Sequence, residues 1–255
     1  MVILFFKLSN ICFKEVYQDF FDKILSMIIY GKQIVLHVLD KHPHLIEEVL
    51  FSKEIDKKIF SKFLKLGKKV IRLDNKKAQA LAQGGNHQGF FLRLKEFEYS
   101  DISEIKEKNF ILVLDGLTDV GNIGAIARSA YSLGVDAIVA SNVKTLNNSG
   151  LIRTSSGAML DIPFALYPNT LDLANELKQC GFALIGATMD GTDLKKYGKI
   201  DESDKVALFL GSEGKGLSKK VEKKLDLKVS IGMQHDFNSL NVSVAAGILI
   251  YNLKK

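Results

Sequence analysis

The sequence predicts an α/β protein built on a mostly parallel sheet, with a smaller α/β unit ahead of it. Three observations carry that prediction. From residue 109 onward, short apolar runs suited to buried strands alternate with stretches of helical length, a pattern that folds as a parallel sheet flanked by helices. Three of those runs lead into loops rich in glycine, asparagine and serine, over 121–128, 211–216 and 239–243. Loops at the carboxyl ends of parallel strands are where open α/β sheets build ligand sites. A charged tract over 96–108 then separates this part from the one before it.

In the first part, over 27–95, the spacing predicts a helix over 31–41 with Ile34, Val35, Val38 and Leu39 on one face. A strand follows at 48–51. The helix over 55–66 turns Ile59, Phe63 and Leu66 inward and Lys57, Lys58, Lys62 and Lys65 outward, and Gly67 ends it. A strand at 69–73, a helix at 75–83 and a strand at 89–94 complete a unit of ordinary domain size. Residues 96–108, with Glu96, Glu98, Asp101, Glu104, Lys106, Glu107 and Lys108, read as a solvated linker.

The second part, 109–255, opens on a strand at 110–114 whose unbroken apolar run fits burial on both faces. A helix over 122–133 ends at Gly134. A strand at 136–140, a helix or turn at 149–159, a strand at 164–166 and a helix at 171–180 follow. Strands at 182–187 and 206–210, a helix at 217–225, a strand at 227–231 and a helix at 240–253 finish the pattern. The last helix carries Leu240, Val242, Val244, Ala245, Ala246, Ile248, Leu249 and Ile250 and has almost no polar face. A helix apolar all round is enclosed on every side, by the core or by a second subunit; a homodimer contact is the favoured reading.

Composition narrows the function. A chain of 255 residues, 47% hydrophobic and 25% charged, buries a real core in one or two domains. The net charge of +6 suits a nucleic-acid partner through counterion release, although solubility alone accounts for it equally well. Cys12 and Cys180 are far apart, which points to a reducing cytoplasmic compartment and away from a disulfide scaffold. The five histidines are scattered, so no metal is expected. No apolar run reaches the ~18 residues of a membrane span. Residues 1–26 precede a second possible start at Met27. They read as an upstream extension outside the translated protein, or else as an amphipathic helix on the first domain, and in neither case carry function.

Each loop has two readings. Gly116 and Gly121 have the spacing of a phosphate-binding Walker loop, but Asn122 stands where that motif demands lysine. Asn122 is either a helix cap or a site amide, and Arg128 either a surface charge or a substrate contact. The three glycines of 211–216 allow close backbone approach, while Glu213 disfavours phosphate and favours a cationic ligand. The alternative there is a tight turn. Asn241 and Ser243 open the last helix as site groups or as part of its capping by Asn238 or Ser239.

The order Asn122…Arg128, Gly211-Ser212-Glu213-Gly214-Lys215-Gly216, Ser239-Leu240-Asn241-Val242-Ser243 resembles the SpoU-type branch of the SPOUT superfamily, S-adenosylmethionine-dependent RNA ribose 2′-O-methyltransferases. Tyr30-Gly31 and His87-Gln88-Gly89 are similar to the ribosomal-protein-like RNA-binding domain of members acting on 23S rRNA. The resemblance implies a C-terminal trefoil knot, a homodimer and S-adenosylmethionine held near Thr188, Gly211, Ile231 and Leu240. It makes Asn122, Arg128, Glu213, Asn241 and Ser243 the catalytic set and a guanosine of 23S rRNA the favoured acceptor. Transfer to tRNA, or a non-catalytic RNA-binding role, are the alternatives. Arginine stays protonated, so Arg128 is expected to clamp a phosphate and stabilise developing oxyanion charge rather than act as base. Gly232 stands where the family has proline, which implies a looser adenine pocket.

Overall fold

The computed structural model of the protein describes residues 27–201, 204–234 and 239–254. The proposed extension over 1–26 and the capping candidate Asn238 lie outside them. The described residues fall into two compact units, divided between Phe97 and Glu98.

The first unit is a four-stranded mixed sheet with helices. Its elements are β1 (Met27–Tyr30), α1 (Lys32–Lys41), β2 (Ile46–Phe51), α2 (Lys57–Leu64), β3 (Lys69–Arg72), α3 (Asn75–Leu81) and β4 (Phe90–Leu94). The strand order is β1-β4-β2-β3, with β4 antiparallel to both neighbours and β2 parallel to β3. α1 buries Ile34, Val35, Val38 and Leu39, as its spacing predicts. α2 starts where Asp56 Oδ1 accepts the Lys58 and Ile59 amides, and it buries Phe63 alone, Ile59 being half-buried. β1 is an element the sequence reading lacks. Its Ile28-Ile29-Tyr30 run has strand composition, and pairing with β4 completes it.

The second unit contains α4 (Ile102–Lys106), β5 (Phe110–Asp115), α5 (Val120–Ser132), β6 (Ala137–Ser141), α6 (Asn148–Thr154), β7 (Phe164–Tyr167), α7 (Thr170–Gln179), β8 (Ala183–Asp193), β9 (Val206–Gly211), α8 (Lys219–Glu222), β10 (Leu227–Ser230) and α9 (Val242–Leu253). The sheet order is β10-β8-β9-β5-β6-β7, and every neighbouring pair is parallel. All six residues of β5 are buried. Phe209 of β9 is fully buried in the main core cluster. Phe209→Ala is expected to cost about 3–5 kcal/mol, read as a fall in thermal midpoint of roughly 10 °C.

Residues 98–108 carry more structure than a solvated linker. Asp101 caps α4, Ile105 is fully buried, and Tyr99 donates to Asn148 Oδ1 at 2.6 Å. Lys106 and the Tyr167 hydroxyl both donate to the Glu176 carboxylate. Lys106 above all, then Tyr167, hold that carboxyl below the usual range, and the hydrogen bond to Glu176 pushes the Tyr167 phenol up to about 12.

Two helices differ from expectation. α8 spans four residues instead of 217–225, because the chain leaves it early: the Asp226 amide donates to the Leu184 carbonyl at 2.8 Å, drawing 224–226 toward the sheet. α9 is not enclosed on all sides within the chain. It buries Val242, Ala246, Leu249, Ile250 and Leu253, while Val244 is 50% and Tyr251 66% exposed. Its far end lies beside the β8–β9 connection, where the Ile200 amide donates to the Leu253 carbonyl at 2.7 Å and Ile200 bridges Lys254 in parallel.

Candidate active site

The carboxyl edge of the parallel sheet is braced by a buried polar cluster. Asp115, 6% exposed at the end of β5, accepts from Asn142 Nδ2 and Thr170 Oγ1, each at 2.6 Å. Ser141 Oγ lies 2.7 Å from Thr170 Oγ1. The ends of β5 and β6 and the start of α7 are thereby tied together. Satisfied networks of this kind rigidify a core and give the neighbouring loops a fixed base.

Just beyond Asp115, Gly116 takes φ +68°, a region costly for other residues, and turns the chain into 117–119. Asp119 caps α5, its Oδ1 accepting the Asn122 amide at 2.6 Å. The expectation that Asn122 itself caps the helix is thus corrected. With Asp119 in that role, the Asn122 side chain is free to point elsewhere. It donates from Nδ2 to Glu213 Oε1 at 3.1 Å and accepts at Oδ1 from Asn241 Nδ2 at 2.9 Å.

Glu213 is the hub. Its Oε1 also accepts from Asn241 Nδ2 at 3.2 Å and from the Val242 amide at 3.5 Å. Asn241 is the cap of α9, in place of the expected Asn238 or Ser239. Its Oδ1 takes the Ser243 amide at 2.9 Å and the Ser243 hydroxyl at 2.5 Å. Three predicted residues, Asn122, Glu213 and Asn241, therefore meet from three separate segments, the start of α5, the loop after β9 and the cap of α9, and Ser243 joins them through Asn241. Arg128 does not join them. It is exposed on α5 with no hydrogen bond or ion pair among the described residues. The sequence reading missed two contributors: Asp119 as the group that positions Asn122, and the Val242 amide. An acid three residues before Asn122 is the cap signal that could have found the first.

β9 pairs with β5 so that Gly211 lies opposite Asp115. The loop beyond folds back on itself, with Ser212 bridging Gly216 and the Gly216 amide donating to the Ser212 carbonyl at 2.9 Å. A Cβ on Gly211 would stand 2.1 Å from the Gly216 carbonyl carbon, so only glycine permits this fold. Between the loops after β5 and β9 lies a cleft of about 150 Å³, bounded by residues 116–119 and by Asn122, Ser212, Glu213 and Val242.

The residues expected around a cofactor lie at the same edge. Gly186 of β8 pairs with Phe209 of β9, so Thr188 and Gly211 stand two residues beyond the last pair on adjacent strands. β8 bulges there: Lys228 pairs with Gly186 but the next residue, Val229, with Thr192. The Thr188 hydroxyl oxygen is buried and makes no hydrogen bond of ordinary geometry. Thr188 foremost, then Lys228, holds the Asp190 carboxyl below the usual range. Ile231 follows the end of β10, half-buried, and Leu240, 38% exposed, directly precedes Asn241. A Cβ at Gly232 would lie 2.9 Å from Asp193 Oδ2, so a larger residue there requires that carboxylate to move.

Residues 109–251 match the model of the SpoU rRNA Methylase family, and residues 28–100 that of RNA 2′-O ribose methyltransferase substrate binding. The chain is 33% identical over 201 residues to an uncharacterized tRNA/rRNA methyltransferase of Borreliella burgdorferi, covering 73% of this chain and 87% of that protein. Among solved structures, an AdoMet-bound rRNA methyltransferase from Sinorhizobium meliloti superposes with a TM-score of 0.74 at 24% identity, over 91% of this chain and 87% of that one. A SpoU methyltransferase of Streptomyces viridochromogenes in complex with AdoMet gives 0.72 at 21% identity, over 90% of each chain.

Proposed function

Because the chain belongs to the SpoU rRNA methylase family, we propose that it transfers a methyl group from S-adenosylmethionine to a ribose 2′-hydroxyl of RNA, with a guanosine of 23S rRNA as the acceptor. The observation that carries this reading is the convergence of Asn122, Glu213 and Asn241 beside a cleft at the carboxyl edge of the sheet. In this reading residues 27–95 engage the RNA and residues 109–255 perform the transfer, in the cytoplasm, where RNA is modified.

The residues at the edge fit the cofactor. The Thr188 hydroxyl oxygen is buried at this edge and meets the Asp190 carboxylate only outside ordinary hydrogen-bond geometry. Gly211 keeps the floor of the loop free of side chain, and Ile231 and Leu240 offer apolar walls. When bound, S-adenosylmethionine supplies an electrophilic methyl on a sulfonium. The anionic Glu213 suits a positive donor, and its amide partners keep its carboxylate oriented. Asn122, Asn241 and Ser243 hold the ribose in line, and positioning of that kind contributes much of the rate in a displacement. Arg128 neutralises the adjoining phosphate. Its distance from the hydrogen-bonded cluster, together with the exposed Val244 and Tyr251 on α9, favours a homodimer in which the arginine serves a shared site. The trefoil knot expected of the C-terminal segment belongs to the same reading.

Calorimetry with S-adenosylmethionine, followed by tritiated-methyl transfer to protein-free rRNA and tRNA from a deletion strain, tests the reading. One cofactor per chain and one new 2′-O-methyl site in 23S rRNA are expected. Label in tRNA alone would move the acceptor to tRNA, and no cofactor binding would leave a non-catalytic RNA-binding protein.

A further inference from the structure

The outward face of α2 and the turn after it carry a concentration of charge that the active site does not use. Six of the thirteen residues over 57–69 are lysine and none is acidic. Lys62 pairs with Asp40 at 2.9 Å and Lys69 with Glu48 at 3.7 Å. Lys57, Lys58, Lys65 and Lys68 are exposed and have no ion pair among the described residues. At 100° per residue, Lys57, Lys58 and Lys65 share the side of α2 opposite the buried Phe63. Phe60 and Leu64, 39% and 56% exposed, flank that lysine row as a second stripe. Phe60 is braced from behind by Phe51, their ring centroids 6.2 Å apart. Its ring is therefore presented at a fixed angle.

Uncompensated lysines beside one another destabilise a free protein through mutual repulsion. A polyanion relieves that repulsion, and a braced ring beside the cations gives an unpaired base a surface to stack on. The cluster lies within residues 28–100, which match the substrate-binding model. We propose that this face of α2, Lys57, Lys58, Lys65 and Lys68 with Phe60, is the surface through which the first unit grips substrate RNA, the lysines on phosphates and Phe60 under a base. The proposal rests on the RNA methyltransferase reading and adds to it a location and a division of labour.

The test compares the full-length protein with a variant carrying Lys57→Gln, Lys58→Gln, Lys65→Gln and Lys68→Gln, and with Phe60→Ala. Filter binding uses protein-free 23S rRNA and bulk tRNA over a series of salt concentrations. Four lost phosphate contacts are expected to lower the slope of log affinity against log salt by about 3 and to weaken binding roughly tenfold or more. Phe60→Ala is expected to weaken binding about fivefold without changing the slope. In both variants KM for RNA rises, while kcat at saturating RNA and affinity for S-adenosylmethionine stay at wild-type values. Wild-type binding that survives neutralisation with an unchanged slope overturns the proposal. So does a variant that keeps RNA affinity while losing attachment to phosphatidylglycerol vesicles, which would make the face a membrane contact. A wild-type protein that binds no RNA fails the broader reading, and that failure appears before any variant is made.

Discussion

Replacing Arg128 with lysine is expected to cut methyl transfer by about 10²–10³-fold while RNA affinity stays within about threefold, since the charge on the phosphate is retained. The two side chains differ in geometry. Guanidinium presents a planar fork that can hold a phosphate oxygen and a developing alkoxide together, and ammonium offers a single point charge. Arg128 is exposed on α5 and makes no hydrogen bond or ion pair among the described residues, so the variant should keep its stability. Single-turnover transfer, measured beside equilibrium RNA binding, separates the two effects. Wild-type turnover in the lysine variant would dismiss the arginine from the transition state.

The second large effect concerns Glu213. Its Oε1 gathers the Asn122 and Asn241 side-chain amides and the backbone of Val242. Glu213→Ala leaves both amides without their common acceptor and lets the first turn of α9 move relative to α5. A fall in kcat on the order of 10³-fold is expected, with a smaller loss of cofactor affinity. Groups that act as one unit are not additive. The double variant Asn122→Ala, Glu213→Ala should therefore be little slower than Glu213→Ala alone. Multiplicative losses in that cycle would show the two side chains to be independent.

Long, strongly patterned elements were legible in the sequence. The apolar run of β5, the face of α1 and the glycine loop over 211–216 stand where spacing placed them, while 121–128 lies within α5 rather than in a loop. What escaped had its cause outside the local pattern. β1 has four residues, and pairing with β4 completes it. α4 has five residues and one fully buried side chain, Ile105, too short to show a period. Both helix caps at the site were displaced by a few positions, because Asp119 and Asn241 compete with neighbours of similar capping strength. The bulge of β8 that holds Thr188, two residues past the last pair with β9, depends on pairing register, which strand composition does not reveal. Arg128 was legible as a residue of interest, and its separation from the amide cluster was legible too, since residues six apart on a helix do not share one face.

The bond from Asn241 to Asn122 joins residues 119 positions apart. Closing so long a loop carries an entropic penalty that local contacts do not meet. The chemistry should therefore be among the last properties acquired on refolding and among the first lost under mild denaturant. Far-ultraviolet dichroism would still report intact helices when turnover has gone. Activity in this protein is then a finer gauge of native tertiary order than any spectroscopic signal from its backbone.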